Sequence, residues 1–85
     1  MSAVKYPLST EKSIKMMEQE NKLVFVVEKK ATKQEIKADI EKTFNVKVKR
    51  VNTQITNQGI KKAYVEFAEE TPAMDIATQL GLMWL

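Results

Sequence analysis

Apolar and polar positions change their period several times along the chain, and each change predicts an element. Val4 to Leu8 is a short extended stretch, because Pro7 biases Tyr6 away from helix. Ser9 or Thr10 can cap a first helix reaching about Gln19, with Ile14 and Met17 on its apolar face and Met16 at the edge. Glu20-Asn21 ends it. Leu23 to Val27 reads Leu-Val-Phe-Val-Val, an apolar run without alternation. A strand buried on one side would alternate, so this one is predicted at the centre of a sheet, with helices covering both faces.

Thr32 and Glu35 have capping-box spacing and start a second helix, in which Ile36, Ile40 and Phe44 form an i, i+4, i+8 stripe. Val46 to Thr56 is the second long strand, and its alternation changes phase. Val46 and Val48 have one parity; Val51, Thr53 and Ile55 have the other. A bulge near Lys49-Arg50 would bring both sets to the core; otherwise the two halves are buried on different sides. Asn57-Gln58-Gly59 is a tight turn, with Gly59 suited to positive φ. Ile60 to Ala68 returns as the third long strand, with Ala63, Val65 and Phe67 on one face and Lys62, Tyr64 and Glu66 on the other. Thr71 as N-cap and Pro72 at the first helical position open a last helix carrying Ala73, Ile76, Ala77 and Leu80, stopped by Gly81.

The predicted order is short β, α, β, α, β, β, α. It amounts to an α+β fold, a small α/β/α layered domain. Its antiparallel sheet has three long strands plus the short N-terminal one, and three helices accompany it. At 85 residues, residues 1–85 are expected to form a single domain with one core. The chain has no Cys and no His, so disulfides and the usual zinc ligands are absent. No apolar run approaches the roughly 20 residues that span a bilayer, and the N-terminus lacks a signal-peptide core. A soluble cytoplasmic protein without membrane insertion is the expectation.

Net charge is only +3, but its distribution is uneven. Residues 1–62 hold all 14 Lys and Arg against 7 acids, whereas residues 63–85 hold 4 acids and no base. A basic surface with a polyanionic partner and a separate acidic end follows, unless the lysines only solvate the surface. Catalysis finds little footing. Gly59 and Gly81 are the only glycines, so no phosphate-cradling loop exists, and Glu69-Glu70 sit in a connection. Arg50 and Asn52 holding a phosphate in a small ferredoxin-like enzyme would need further anion donors, and none is visible. No catalytic residue, metal ligand or cofactor is predicted.

Nucleic-acid binding has better candidates. Lys47, Lys49 and Arg50 lie on the second long strand, and Lys61 and Lys62 begin its hairpin partner; antiparallel pairing is expected to bring the two groups together. Lys33 and Lys37 open the preceding helix. Each Lys can neutralise a phosphate, and Arg50 can bridge two phosphate oxygens. Asn52 and Thr53 suit a 2′-hydroxyl or a base edge, while Tyr64 either stacks on a base or covers neighbouring Lys stems. Phe25 and Phe67 have core parity. The stacking platform of an RNA-recognition-motif domain is therefore missing, and docking on folded RNA is favoured.

Four ordered blocks carry a family resemblance: Pro7-Leu8-Ser9-Thr10-Glu11-Lys12, Ala31-Thr32-Lys33-Gln34-Glu35-Ile36-Lys37, Val46-Lys47-Val48-Lys49-Arg50-Val51-Asn52-Thr53 and Lys61-Lys62-Ala63-Tyr64-Val65. Together they resemble the universal large-subunit ribosomal protein twenty-three family, from Val4 to about Leu82. The resemblance implies the same α/β/α arrangement and a structural role in the large ribosomal subunit. It also implies contact with large-subunit ribosomal RNA near the polypeptide exit tunnel, and neighbouring large-subunit ribosomal proteins as partners. Lys61, Lys62 and Tyr64 match the family's RNA-binding signature, which departs at Glu66 and Phe67; Glu66 is given no RNA role. Asn52, Thr53 and Lys33 match its strand and helix motifs.

Glu11 stands where bacterial relatives dock nascent-chain factors, so the resemblance implies the signal recognition particle and nascent-chain chaperones as partners. Its alternative role is an ordinary first-turn acid. The short Ile55-to-Ile60 connection is similar to the archaeal form, which lacks a long tunnel hairpin. The tail Leu82-Met83-Trp84-Leu85 either marks a partner surface or folds back. A rival reading is a free-standing protein-interaction module that uses the acidic end and the apolar tail.

Overall fold

A computed structural model describes residues 3–80. Its elements are β1 (Val4–Pro7), α1 (Glu11–Glu20), β2 (Lys22–Val27), α2 (Lys33–Phe44), β3 (Val48–Ile55), β4 (Lys61–Phe67) and α3 (Ala73–Gln79). The four strands form one antiparallel sheet in the order β1-β2-β4-β3. The α+β architecture and the element order are those expected from the sequence. Gly81 and the Leu82–Leu85 tail lie outside the described residues.

The apolar run from Leu23 to Val27 is buried at every position, as its place between β1 and β4 requires. Leu23, Phe25 and Val27 join Ala63, Val65 and Phe67 of β4 on the core face, where Ile36 and Ile40 of α2 and Ile76 of α3 pack. Val24 has the opposite parity; Leu8, Ser13 and Met16 stand beside it and Tyr64. Helix α1 also sends Met17 into the core cluster.

The phase change in β3 is resolved as a bulge. Val48 pairs with Phe67 and Arg50 with Glu66, so Lys49 is the extra residue. Val48 and Val51 are both buried as a result. The expectation fails further along, because Ile55 is 61% exposed. Ile55 is the last residue of an outer strand and pairs with Lys61 beside the turn.

Both early helices end in asparagines of left-handed conformation, Asn21 and Asn45, each at φ 56°. Asparagine tolerates this region better than most residues. The capping box at Thr32 and Glu35 is present, with bonds of 3.1 and 2.9 Å. Thr10 caps α1 through a second box with Ser13. Ser13 is buried, a position the apolar pattern overlooks, and its hydroxyl bonds Thr10 N–H and the Leu8 and Thr10 carbonyls.

Helix α3 begins one residue later than expected, with Pro72 rather than Thr71 as N-cap. Proline has no side-chain acceptor. The first N–H of the helix, from Ala73, is instead donated to Asn21 Oδ1 at 2.6 Å. The cap comes from a residue distant in sequence, which explains why the local pattern misplaced it.

Candidate RNA interface

Register decides which polar side chains share a surface. In the β3–β4 hairpin, Arg50 faces Glu66, Asn52 faces Tyr64, and Gln54 faces Lys62. Directly opposed residues project from the same side of a sheet. All six therefore lie on the face opposite the core, because Ala63, Val65 and Phe67 between them point inward. Arg50, Asn52 and Gln54 are exposed, and Lys62, Tyr64 and Glu66 are half-buried.

The expectation that pairing joins Lys47, Lys49 and Arg50 to Lys61 and Lys62 is corrected by this register. Lys61 pairs with Ile55 beside the turn, while Arg50 sits opposite Glu66 at the far end of β4. Four to five residues at about 3.4 Å per residue put Arg50 roughly 14 to 17 Å from Lys62 and Lys61 along the hairpin. The hairpin folds at Asn57–Gly59, so residues close in sequence to the turn meet, and Lys47 to Arg50 are too far from it.

Glu66 organises the far end. Its carboxylate lies 3.1 Å from Arg50 Nε and 3.7 Å from Lys49 Nζ. Both cations are more than half exposed, so the pairs add little stability but hold the side chains over the sheet. At the middle, Tyr64 donates its hydroxyl to Gln54 Oε1 at 3.1 Å, which spreads the phenol ring across the hairpin. Gln54 and Glu66 were missing from the sequence-based candidate set. Parity placed Glu66 on this face, but only the register shows which cations it meets.

The remaining candidates divide among other surfaces. Thr53 pairs with Ala63 and turns to the core side, half-buried, so neighbouring Asn52 and Thr53 face opposite ways. Lys61 has core parity too. Its ammonium donates to the carbonyls of Ala31 (2.6 Å) and Lys29 (3.2 Å), tying β4 to the turn before α2. Lys33 and Lys37 are exposed on α2, which packs on the core face. Lys47 is exposed just before β3, and its carbonyl accepts from Ala68 N–H. Glu11 is exposed in the first turn of α1, where the helix dipole favours an acid.

Among the described residues, no cluster of His, Cys, Asp or Glu could hold a metal ion. None of their helices is long and apolar enough to cross a membrane. The β3 side of the hairpin face is exposed and polar, whereas Lys62 and Tyr64 on β4 lie beside Leu8, Ser13 and Met16. The face offers an arginine fork, an ammonium, an amide pair and a phenol, groups that recognise phosphate, ribose and base edges.

Comparison with known proteins adds kinship to geometry. The family model described as Ribosomal protein L23 matches residues 2–74. The chain is 48% identical over 79 residues to the large ribosomal subunit protein uL23 of Methanococcus vannielii, covering 93% of this chain and 92% of that protein. It is 46% identical to the protein of the same name from Methanococcus aeolicus, over the same shares of the two chains. The Tetrahymena thermophila uL23 protein is 48% identical over 82 residues, which cover 96% of this chain and 55% of the longer relative.

Proposed function

Because the chain belongs to the ribosomal protein L23 family, we propose that it binds large-subunit ribosomal RNA near the polypeptide exit tunnel through the outer face of its β3–β4 hairpin. Family membership makes it a structural constituent of the large ribosomal subunit, working in the cytoplasm, and not an enzyme. The single observation that carries the RNA reading is the shared face of Arg50, Asn52, Gln54, Lys62 and Tyr64. Phosphate contacts from Arg50 and Lys62 fix position, and Asn52, Gln54 and Tyr64 read shape, ribose and base edges. Lys49 lies close enough to Glu66 to join the cationic end of this face. Lys33, Lys37 and Lys47 would meet RNA from other sides, as befits a protein embedded in folded RNA.

Glu11 and the first turn of α1 form the outward docking surface for nascent-chain factors such as the signal recognition particle. The short connection between β3 and β4 supports a position at the tunnel rim. The rival reading, a free-standing interaction module, loses its ground with the family membership.

The test is binding of the purified chain to large-subunit ribosomal RNA fragments across a salt series, beside an Arg50→Ala/Asn52→Ala/Lys62→Ala variant. Fragment-specific binding that falls steeply with salt is expected. Removing two phosphate-binding cations should flatten the log–log salt slope by roughly 1.4 to 1.8. Equal binding by parent and folded variant would sink the assignment of this face.

A further inference from the structure

Strands β1 and β3 bound the sheet, and their outer edges differ. The β1 edge is short, holds Pro7, and gives its Val4 N–H to the Asp39 carboxylate at 3.2 Å. The β3 strand runs for 8 residues. Register identifies which of its backbone groups point outward. Thr56 N–H donates to the Ile60 carbonyl at 2.8 Å, so bonding to β4 falls on Gln54 and Asn52 in turn. The N–H and C=O groups of Val51, Thr53 and Ile55 therefore face away from β4, and among the described residues nothing else bonds them. Such an edge is a template for strand pairing unless charge, proline or a bulge closes it. Here the Lys49 bulge closes only the N-terminal end, and Val51 to Ile55 contains no charged residue and no proline.

This stretch is self-complementary. Turned about a two-fold axis at Thr53, a second copy of β3 runs antiparallel, with Thr53 against Thr53, Val51 against Ile55 and Asn52 against Gln54. The outward groups then close about six backbone hydrogen bonds. Arg50 meets Thr56, so no like charges oppose each other. Ile55 has core-face parity yet is 61% exposed; in this register it lies directly opposite Val51 of the second copy, on the same face of the sheet. A register centred on Val51 would draw the bulge into the ladder, and one centred on Ile55 would run past the end of the strand.

We infer that the chain, when free of the ribosomal subunit, pairs with a second copy of itself through the β3 edge, so that two four-stranded sheets become one. The two-fold sets the outer hairpin faces of both copies side by side. Contact through one short strand from each copy falls below about 1,200 Å², in the class of transient associations. The pair is therefore reversible and forms at high concentration.

The experiment follows the full chain by sedimentation velocity and 15N amide spectra from about 10 µM to about 1 mM. Ile55→Lys and Thr53→Pro variants run beside it, each checked for a dispersed spectrum. Ile55 is exposed, so lysine there spares the fold but sets a cation against Val51 twice in each pair. Thr53→Pro removes an outward N–H at an edge position, where proline is tolerated. A reversible dimer is expected, with concentration-dependent shifts at Val51, Thr53 and Ile55 and none in β1. Ile55→Lys should weaken it about tenfold, and a folded Thr53→Pro variant should not dimerise. A monomer at every concentration would overturn the inference, as would a dimer that Ile55→Lys leaves unchanged or whose shifts lie elsewhere. Edge shifts in a monomer that appear only on adding the protein fraction of large subunits would overturn it too, and would assign the edge to a neighbouring protein's strand.

Discussion

Replacing Asn21 tests the physical argument most sharply, because one side chain joins three elements. Asn21 ends α1 in the left-handed region, at φ 56° and ψ 39°. Its amide nitrogen lies 3.1 Å from the Phe67 carbonyl, 3.2 Å from that of Ala68 and 3.1 Å from that of Thr71. Its carbonyl oxygen accepts the Ala73 N–H at 2.6 Å and so caps α3. An amide has two N–H bonds, so three carbonyls share them, and the side chain makes about three full hydrogen bonds.

At about 0.5 to 1.5 kcal/mol net for each bond, Asn21→Ala loses roughly 2 to 4 kcal/mol. Forcing alanine into the left-handed region adds about 1 kcal/mol. An 85-residue domain at 0.05 to 0.15 kcal/mol per residue has about 4 to 13 kcal/mol in all, so a large share would go. Asn21→Gly loses the same bonds without the backbone penalty and should be about 1 kcal/mol more stable than Asn21→Ala. Urea unfolding followed by circular dichroism measures both. A loss below about 1 kcal/mol for Asn21→Ala, or a glycine variant less stable than the alanine one, would refute the reasoning.

Other substitutions separate the roles of neighbouring residues. Lys61→Met should cost about 1 to 2 kcal/mol in urea unfolding, because two carbonyls lose a charged donor, while Lys62→Met should stay within about 0.5 kcal/mol. In RNA titrations the order reverses, with Lys62→Met the weaker binder. Glu66→Gln frees Arg50 and Lys49 from a competing carboxylate; it should tighten binding to ribosomal RNA fragments by roughly 3- to 10-fold at low salt and change stability by less than about 1 kcal/mol. Thr32→Ala removes a capping bond and should lower stability by about 1 kcal/mol, against about 2 to 5 kcal/mol for Ile36→Ala, whose side chain is fully buried. Thermal melts distinguish those two.

Local chemistry made much of this domain legible from its residues. The unbroken Leu23-to-Val27 run required a central strand, because only burial on both faces tolerates five apolar residues in a row. The Thr32–Glu35 spacing fixed the start of α2, because a capping box lies within four residues. The phase change around Lys49 narrowed β3 to a bulge or to halves buried on different sides, and the hairpin alternation put Lys62, Tyr64 and Glu66 on one face. Each of these depends on contacts within one element or between its two sides.

Tertiary structure decided what depends on residues far apart in the chain. Register set Arg50 against Glu66 and removed it from Lys61 by the length of the hairpin, although the sequence shows only that both ends are basic. The carbonyls of Lys29 and Ala31 claimed the Lys61 ammonium, so a residue that reads as an RNA contact also ties two elements together. Asn21 took over the cap of α3, which no window around Thr71 and Pro72 could reveal. The concavity lined by Lys5, Lys29, Lys30 and Lys61 exists because β1, the turn before α2 and the start of β4 converge. A sequence states charge, period and cap locally; which charges meet is fixed only when strand pairing and packing bring distant backbone together.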